Sequence, residues 1–209
     1  MRFRFALTAK LLVTSSIISR MFSRPGVRPT FFSVHPITVW LLHSQLTMAD
    51  ICLSAGTIKR PDASYGIRPR ALPNPPPPWL KFQPNGDPYP NVVMEVKVNN
   101  ESALKLKQDC HRYFRSTTSV CVWIGIKIWV RGRKFWIAWA DRAATGNRGV
   151  IHTNMRLPPH HHSIDTPVNL VYHIPMATVY GNGITIPPNS PPTLNIDCDA
   201  VRGVIEEYV

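Results

Sequence analysis

Acidic residues are scarce in this 209-residue chain: 12 Asp and Glu stand against 24 Lys and Arg, a formal net charge of +12. Residues 1–49 hold six basic side chains and no acid, and residues 157–209 hold five acids opposed by Arg202 alone. The surplus therefore falls in residues 50–156, which carry seventeen basic and seven acidic side chains. A basic surface of this kind suits a polyanionic partner, because phosphate neutralisation supplies most non-specific nucleic-acid affinity. A merely solvated face is the plainer explanation.

Cysteine is also sparse. Cys52, Cys110, Cys121 and Cys198 form no Cys-x-x-Cys pair, which argues against a zinc ribbon or a disulfide framework and reads as reduced core thiols in an intracellular protein. Nuclear, cytoplasmic and mitochondrial locations stay open. No run of 18 apolar residues occurs, since Lys10, Arg20, Arg24 and Arg28 interrupt the N-terminal stretches, so no transmembrane helix is expected. The acid-free, Arg- and Ser-containing composition of residues 1–47 is that of a targeting presequence. Against this, Lys10 breaks the apolar stretch and Met48 offers another start. Residues 1–47 are thus set apart as a targeting or disordered extension, and residues 48–209 as one domain.

Glycine is less frequent than proline, 11 against 21, and nine prolines lie between Pro69 and Pro90. Such a segment cannot supply ladder hydrogen bonds and reads as an irregular or polyproline loop. As an alternative, Pro75 to Pro78 offer a motif for a partner domain. Elsewhere the periodicities are regular. Ile51 to Tyr65 reads as a hairpin through Gly56 that presents Asp62. Asn99 or Asn100 is placed to cap a helix with Glu101 in its first turn, apolar at Ala103, Leu106, Cys110, Tyr113 and Phe114 and ending near Ser116 to Ser119. Val120 to Val130 alternates as a central strand, with the even-numbered Val and Ile residues on one face and Cys121, Trp123, Lys127 and Trp129 on the other. A turn at Gly132 leads into a second strand, Lys134 to Ala140, with Trp136 exposed near its start. Val168 to Ile174 reads as the last strand, followed by a helix through Tyr208 capped by Asp197 or Asp199.

The chemistry concentrates in Val92 to Val98. Strand alternation puts Val92, Met94, Val96 and Val98 on one face and Val93, Glu95 and Lys97 on the other. Glu95 and Lys97, with backbones about 6.6 Å apart, can reach one phosphate. A second carboxylate, Asp62, repels Glu95 by roughly 4 kcal/mol at about 4 Å and an effective dielectric of 20 unless the pair shares a proton or cation. Magnesium suits such hard oxygen ligands. Lys105, Arg112 and Arg115 on the helix and Arg131, Arg133 and Lys134 at the turn are candidate phosphate contacts, with a solvated face the commoner fate of the helix residues, and aromatic residues beside the turn are candidate base-stacking platforms, although such tryptophans more often pack under a helix. His160 to His162 follow two prolines without carboxylate or cysteine neighbours and read as an exposed loop rather than a metal site.

Lys59-Arg60-Pro61-Asp62-Ala63-Ser64, Pro88 to Val96, Glu101-Ser102 and Ile124 to Ile128 follow one another in an order that resembles the PD-(D/E)xK nuclease superfamily. The likeness is nearest to its restriction-endonuclease-like domain of bacteria and to fungal proteins that share His173-Ile174-Pro175 and Asn195-Ile196-Asp197. The resemblance covers residues 51–209. It implies an α/β fold with a mixed sheet flanked by helices, Asp62 and Glu95 as ligands of Mg2+ or Mn2+, Lys97 as the catalytic lysine, and DNA as the partner, with a homodimer left open. Fungal relatives often carry a small residue where Lys97 stands, which keeps an alternative open: a nuclease-fold protein without cleavage that binds nucleic acid or a protein partner.

Overall fold

The structure, a computed structural model, describes residues 44–47, 50–54, 57–67, 72–99, 102–142, 153–156, 161–188 and 190–208. Its strands are β1 (Ser44–Thr47), β2 (Ile51–Ser54), β3 (Thr57–Lys59), β4 (Ala63–Ile67), β5 (Val92–Val98), β6 (Val122–Trp129), β7 (Lys134–Arg142), β8 (Thr153–Arg156), β9 (His162–Ser163), β10 (Val171–Pro175) and β11 (Thr193–Asp197). Its helices are α1 (Ala103–Tyr113), α2 (Met176–Tyr180) and α3 (Cys198–Tyr208).

Seven strands make one mixed α/β sheet in the order β1-β4-β5-β6-β7-β8, with β9 also beside β7. Among the described strands only β5 and β6 run parallel, and α1 makes the crossover that parallel neighbours require. β2 with β3, and β10 with β11, form separate two-stranded ribbons. Four residues of the segment set apart by sequence, Ser44–Thr47, pair with β4, so the sheet reaches past the expected boundary at residue 47. Residues 1–43 lie outside the described residues. No helix among the described residues is long and apolar enough to cross a membrane.

Alternation divides the core between the two faces. Val92, Met94, Val96, Ile124, Ile126 and Ile128 pack with β10, β11, α2 and α3. Val93, Trp123, Trp136 and Ala138 pack with β2 and with Leu106, Cys110 and Tyr113 of α1. The alternation fails at one end of β6. Cys121 joins the first core and Val120 the second, opposite to the expectation, because the amides of Cys121 and Val122 both bond to Asn91 O at 2.8 Å and the ladder is regular only from Val122. Trp136 is buried under α1 rather than exposed, 5% accessible.

The helices differ in detail from expectation. Ser102, not Asn99 or Asn100, caps α1, its hydroxyl accepting from Lys105 N at 3.1 Å. The helix stops at Tyr113, before the expected Ser116 to Ser119. Asp197 caps α3 through the amides of Asp199 and Ala200. α2 and β11 carry too short a period to stand out in the sequence. The run expected as an exposed histidine loop contributes His162 to β9, pairing with Phe135; His161 is exposed, with its ring edge-on to Trp129, and His160 lies outside the described residues.

The proline-rich segment is pinned near its middle. Trp79 Nε1 donates to Asn182 O at 2.5 Å, and its indole lies where a Cβ on Gly181 would sit, a position whose φ of +78° already favours glycine. Asn91, buried at the start of β5, donates from Nδ2 to the carbonyls of Val179 and Tyr180 at 3.0 and 3.2 Å. These contacts tie the C-terminal elements to the sheet.

Candidate phosphodiester site

Glu95 and Lys97 share the α1 side of β5, as the alternation of Val92 to Val98 demands. Glu95 is 2% exposed, and one hydroxyl and two ammonium groups meet its carboxylate. Tyr113 donates its hydroxyl to Oε1 at 2.7 Å, Lys59 Nζ lies 2.9 Å from the same oxygen, and Lys97 Nζ lies 3.2 Å from Oε2. Burial, and then the charge of Glu95, push the Tyr113 phenol pKa well up, so this hydroxyl keeps its proton and remains a donor.

Asp62 sits one residue before β4. Its amide extends the β4–β5 ladder to Met94 O at 3.1 Å, and its Oδ2 accepts the Val96 amide at 2.6 Å. The carboxylate therefore grips the β5 backbone between Glu95 and Lys97. Its charge is a minor contributor to the raised Tyr113 pKa.

Asp109 shares the Lys59 and Lys97 ammonium groups with Glu95. Its Oδ2 lies 2.5 Å from Lys59 Nζ and 3.6 Å from Lys97 Nζ, and its Oδ1 lies 3.5 Å from Arg112 Nη1. The Lys59 contact is an ion pair whose angles do not make a hydrogen bond, and Asp109 Oδ2 has no hydrogen-bond partner. Sequence reading missed both Asp109 and Lys59. Asp109 carries a visible signal: it lies on the stripe Leu106, Cys110, Tyr113, where a lone charge facing the core needs a partner.

Beside this cluster lies a cleft of about 220 Å3 lined by Lys59, Lys97, Lys105, Asp109 and Arg112 together with Leu53, Thr57 and Ile58. Asp109, Lys59 and Lys97 reach the cleft, Glu95 is buried against the two lysines, and Lys105 with Arg112 leave the rim positive. Arg115 is exposed beyond the end of α1. Arg131 and Arg133 in the β6–β7 turn and Lys134 at the start of β7 do not line the cleft; Arg133, at φ +44°, is held by Asp165 at 2.6 Å. Opposite Glu95 stands Gly125, and a Cβ there would collide with the Trp123 indole, so the glycine lets that ring lie flat beneath the site.

Among the described residues no three His, Cys, Asp or Glu side chains converge as a metal cage. Glu95 and Asp109 nevertheless surround one cationic position, now taken by an ammonium, and their hard oxygens fit magnesium, which is commonly held by one or two carboxylates plus substrate phosphate. The chain matches no family model, no curated protein and no solved structure.

Proposed function

We propose that the protein is a metal-dependent endonuclease hydrolysing DNA phosphodiester bonds on a restriction-endonuclease-like fold. One observation carries the reading: Lys97, which lines a cleft with a basic rim, holds its Nζ 3.2 Å from Oε2 of the buried Glu95. The antiparallel β4–β5 pair followed by the β5–α1–β6 crossover supports it, because that order of elements is the one the resemblance implies.

Glu95, with Asp62 as the second ligand implied by the resemblance, would hold magnesium or manganese. When bound, the ion supplies a water of lowered pKa and polarises the phosphate. Tyr113 fixes the Glu95 carboxylate, and Asp62 fixes the backbone on which Glu95 and Lys97 stand. Lys97 meets negative charge on the reacting phosphate, while Lys105 and Arg112 hold neighbouring phosphates at the rim. Purified protein is expected to nick supercoiled plasmid with magnesium or manganese. Nicking that survives Glu95→Ala sinks the reading.

A second reading rests on Lys59. Together with Lys97 it neutralises Glu95 and Asp109 without a metal, which favours a nuclease-fold protein that binds nucleic acid and leaves it intact. That reading predicts salt-sensitive DNA binding indifferent to Glu95→Ala and no nicking at any metal concentration.

A further inference from the structure

We infer that Glu95 and Asp109 form a two-carboxylate site for a divalent cation, and that the Lys59 ammonium is its displaceable occupant. The inference rests on the endonuclease reading for its cation and for Glu95, and adds Asp109 and Lys59, which that reading does not use.

The position is defined by Lys59 Nζ itself, which lies 2.9 Å from Glu95 Oε1 and 2.5 Å from Asp109 Oδ2. Both acids are 2% exposed in their side chains, and Asp109 Oδ2 has only ammonium groups facing it and no hydrogen bond. Removing such charges from water costs several kcal/mol per ion, and buried ion pairs often stabilise no better than apolar residues of the same size. Stability alone therefore gives little reason for four charged groups here. A site that must exchange one cation for another gives a reason.

The elements differ in how they hold their charges. Glu95 and Lys97 belong to the central strand β5, and Asp109 to the helix packed on it. Lys59 comes from β3, whose hydrogen-bonded partner is β2 and not the large sheet. Its side chain is 16% exposed against 9% for Lys97, and it borders the open cleft. The four-carbon arm can swing outward by bond rotation without moving an acid. A divalent ion in its place raises the local charge by only one, and Lys97 stays beside Glu95. Two carboxylates leave most of the coordination shell to water and phosphate, the usual pattern for magnesium; substrate then completes the site.

The test uses the full chain and Mn2+ alone, with free Mn2+ measured by electron paramagnetic resonance. Lys59→Gln is expected to tighten Mn2+ binding at least about tenfold, since it removes a cation competing at contact distance. Lys59→Arg is expected to keep the weak binding of the parent chain. Adding Asp109→Asn or Glu95→Gln to Lys59→Gln should remove the gain. Should Lys59→Gln loosen the fold, its melting temperature is expected to rise more on Mn2+ addition than the parent's does. Unchanged Mn2+ affinity and unchanged melting response in Lys59→Gln overturn the inference, as does a gain that persists after Asp109→Asn. Tight Mn2+ binding without plasmid nicking removes the endonuclease reading alone. Nicking by a chain whose Mn2+ affinity ignores Lys59 removes the inference alone.

Discussion

Lys97 and Lys127 stand opposite each other across the parallel β5–β6 pair, yet their ammonium groups serve different partners. Lys97 reaches Glu95, whereas Lys127, 1% exposed, donates to Asn99 O at 2.8 Å and Ile128 O at 3.1 Å and lies over the Trp129 ring. One lysine belongs to the cleft and the other to the strand end. If the protein cleaves, Lys97→Met is expected to slow nicking by about 100-fold or more, as loss of one charge-stabilising group does. Lys127→Met should leave nicking in place and cost about 1–3 kcal/mol in urea unfolding, the range for a buried polar partner removed. Equal nicking by the Lys97→Met and parent chains refutes the assignment.

The rim and the turn are predicted to differ in DNA binding. Lys105→Ala with Arg112→Ala should lower the slope of log affinity against log salt by about two, one for each lost phosphate contact. Arg133 is paired with Asp165, so Arg133→Ala should change the slope little. Fluorescence anisotropy across a salt series measures both, and a larger effect from Arg133 moves the interface to the turn.

The buried thiols set a limit at high pH. Burial pushes Cys121 and Cys198 from an ordinary 9.0 up to about 12. In the folded chain they hold protons that the unfolded chain releases. Their contribution is therefore complete below pH 9 and is lost as pH rises from 9 towards 12. Urea midpoints are expected to fall across that window, and less steeply in Cys121→Ala than in the parent. A parallel decline in both chains excludes Cys121 as a source.

Asn91 is expected to govern how the C-terminal elements attach. Asn91→Ala removes two hydrogen bonds and leaves the Val179 and Tyr180 carbonyls without that donor, a loss of about 2–3 kcal/mol. Limited proteolysis should then cut beyond residue 161 sooner than in the parent. An unchanged cleavage pattern and unchanged stability count against the tie.

Much of the sheet was legible because β5 and β6 alternate over whole strands. Glu95 and Lys97 followed from that period alone, as did the apolar face formed by Val92, Met94 and Val96. Asp62 was legible as a residue near the strand, though not its bond to the Val96 amide, which depends on how β4 meets β5. Lys59 and Asp109 escaped because their meaning lies in a contact between a ribbon and a helix fifty residues apart. The basic neighbours of Trp136 suggested exposure, while the competing expectation, packing under a helix, is what alternation along β7 delivers beneath α1. Ser102 was overlooked as a cap behind two asparagines, and Asn99 instead takes a left-handed turn at φ +51° with its side chain on Val130 N.

Trp79 gives the proline-rich segment a different mechanical character from the one its composition suggests. With its indole seated on Gly181 and its nitrogen on Asn182, the span between β4 and β5 is not one long tether but two shorter loops meeting at a fixed post. Closure entropy grows with the logarithm of loop length, so each part is restrained separately, and slack introduced before Trp79 is not passed on to the part that delivers Asn91 and β5. The strand bearing Glu95 and Lys97 is in this way insulated from length changes in the stretch containing Pro75 to Pro78.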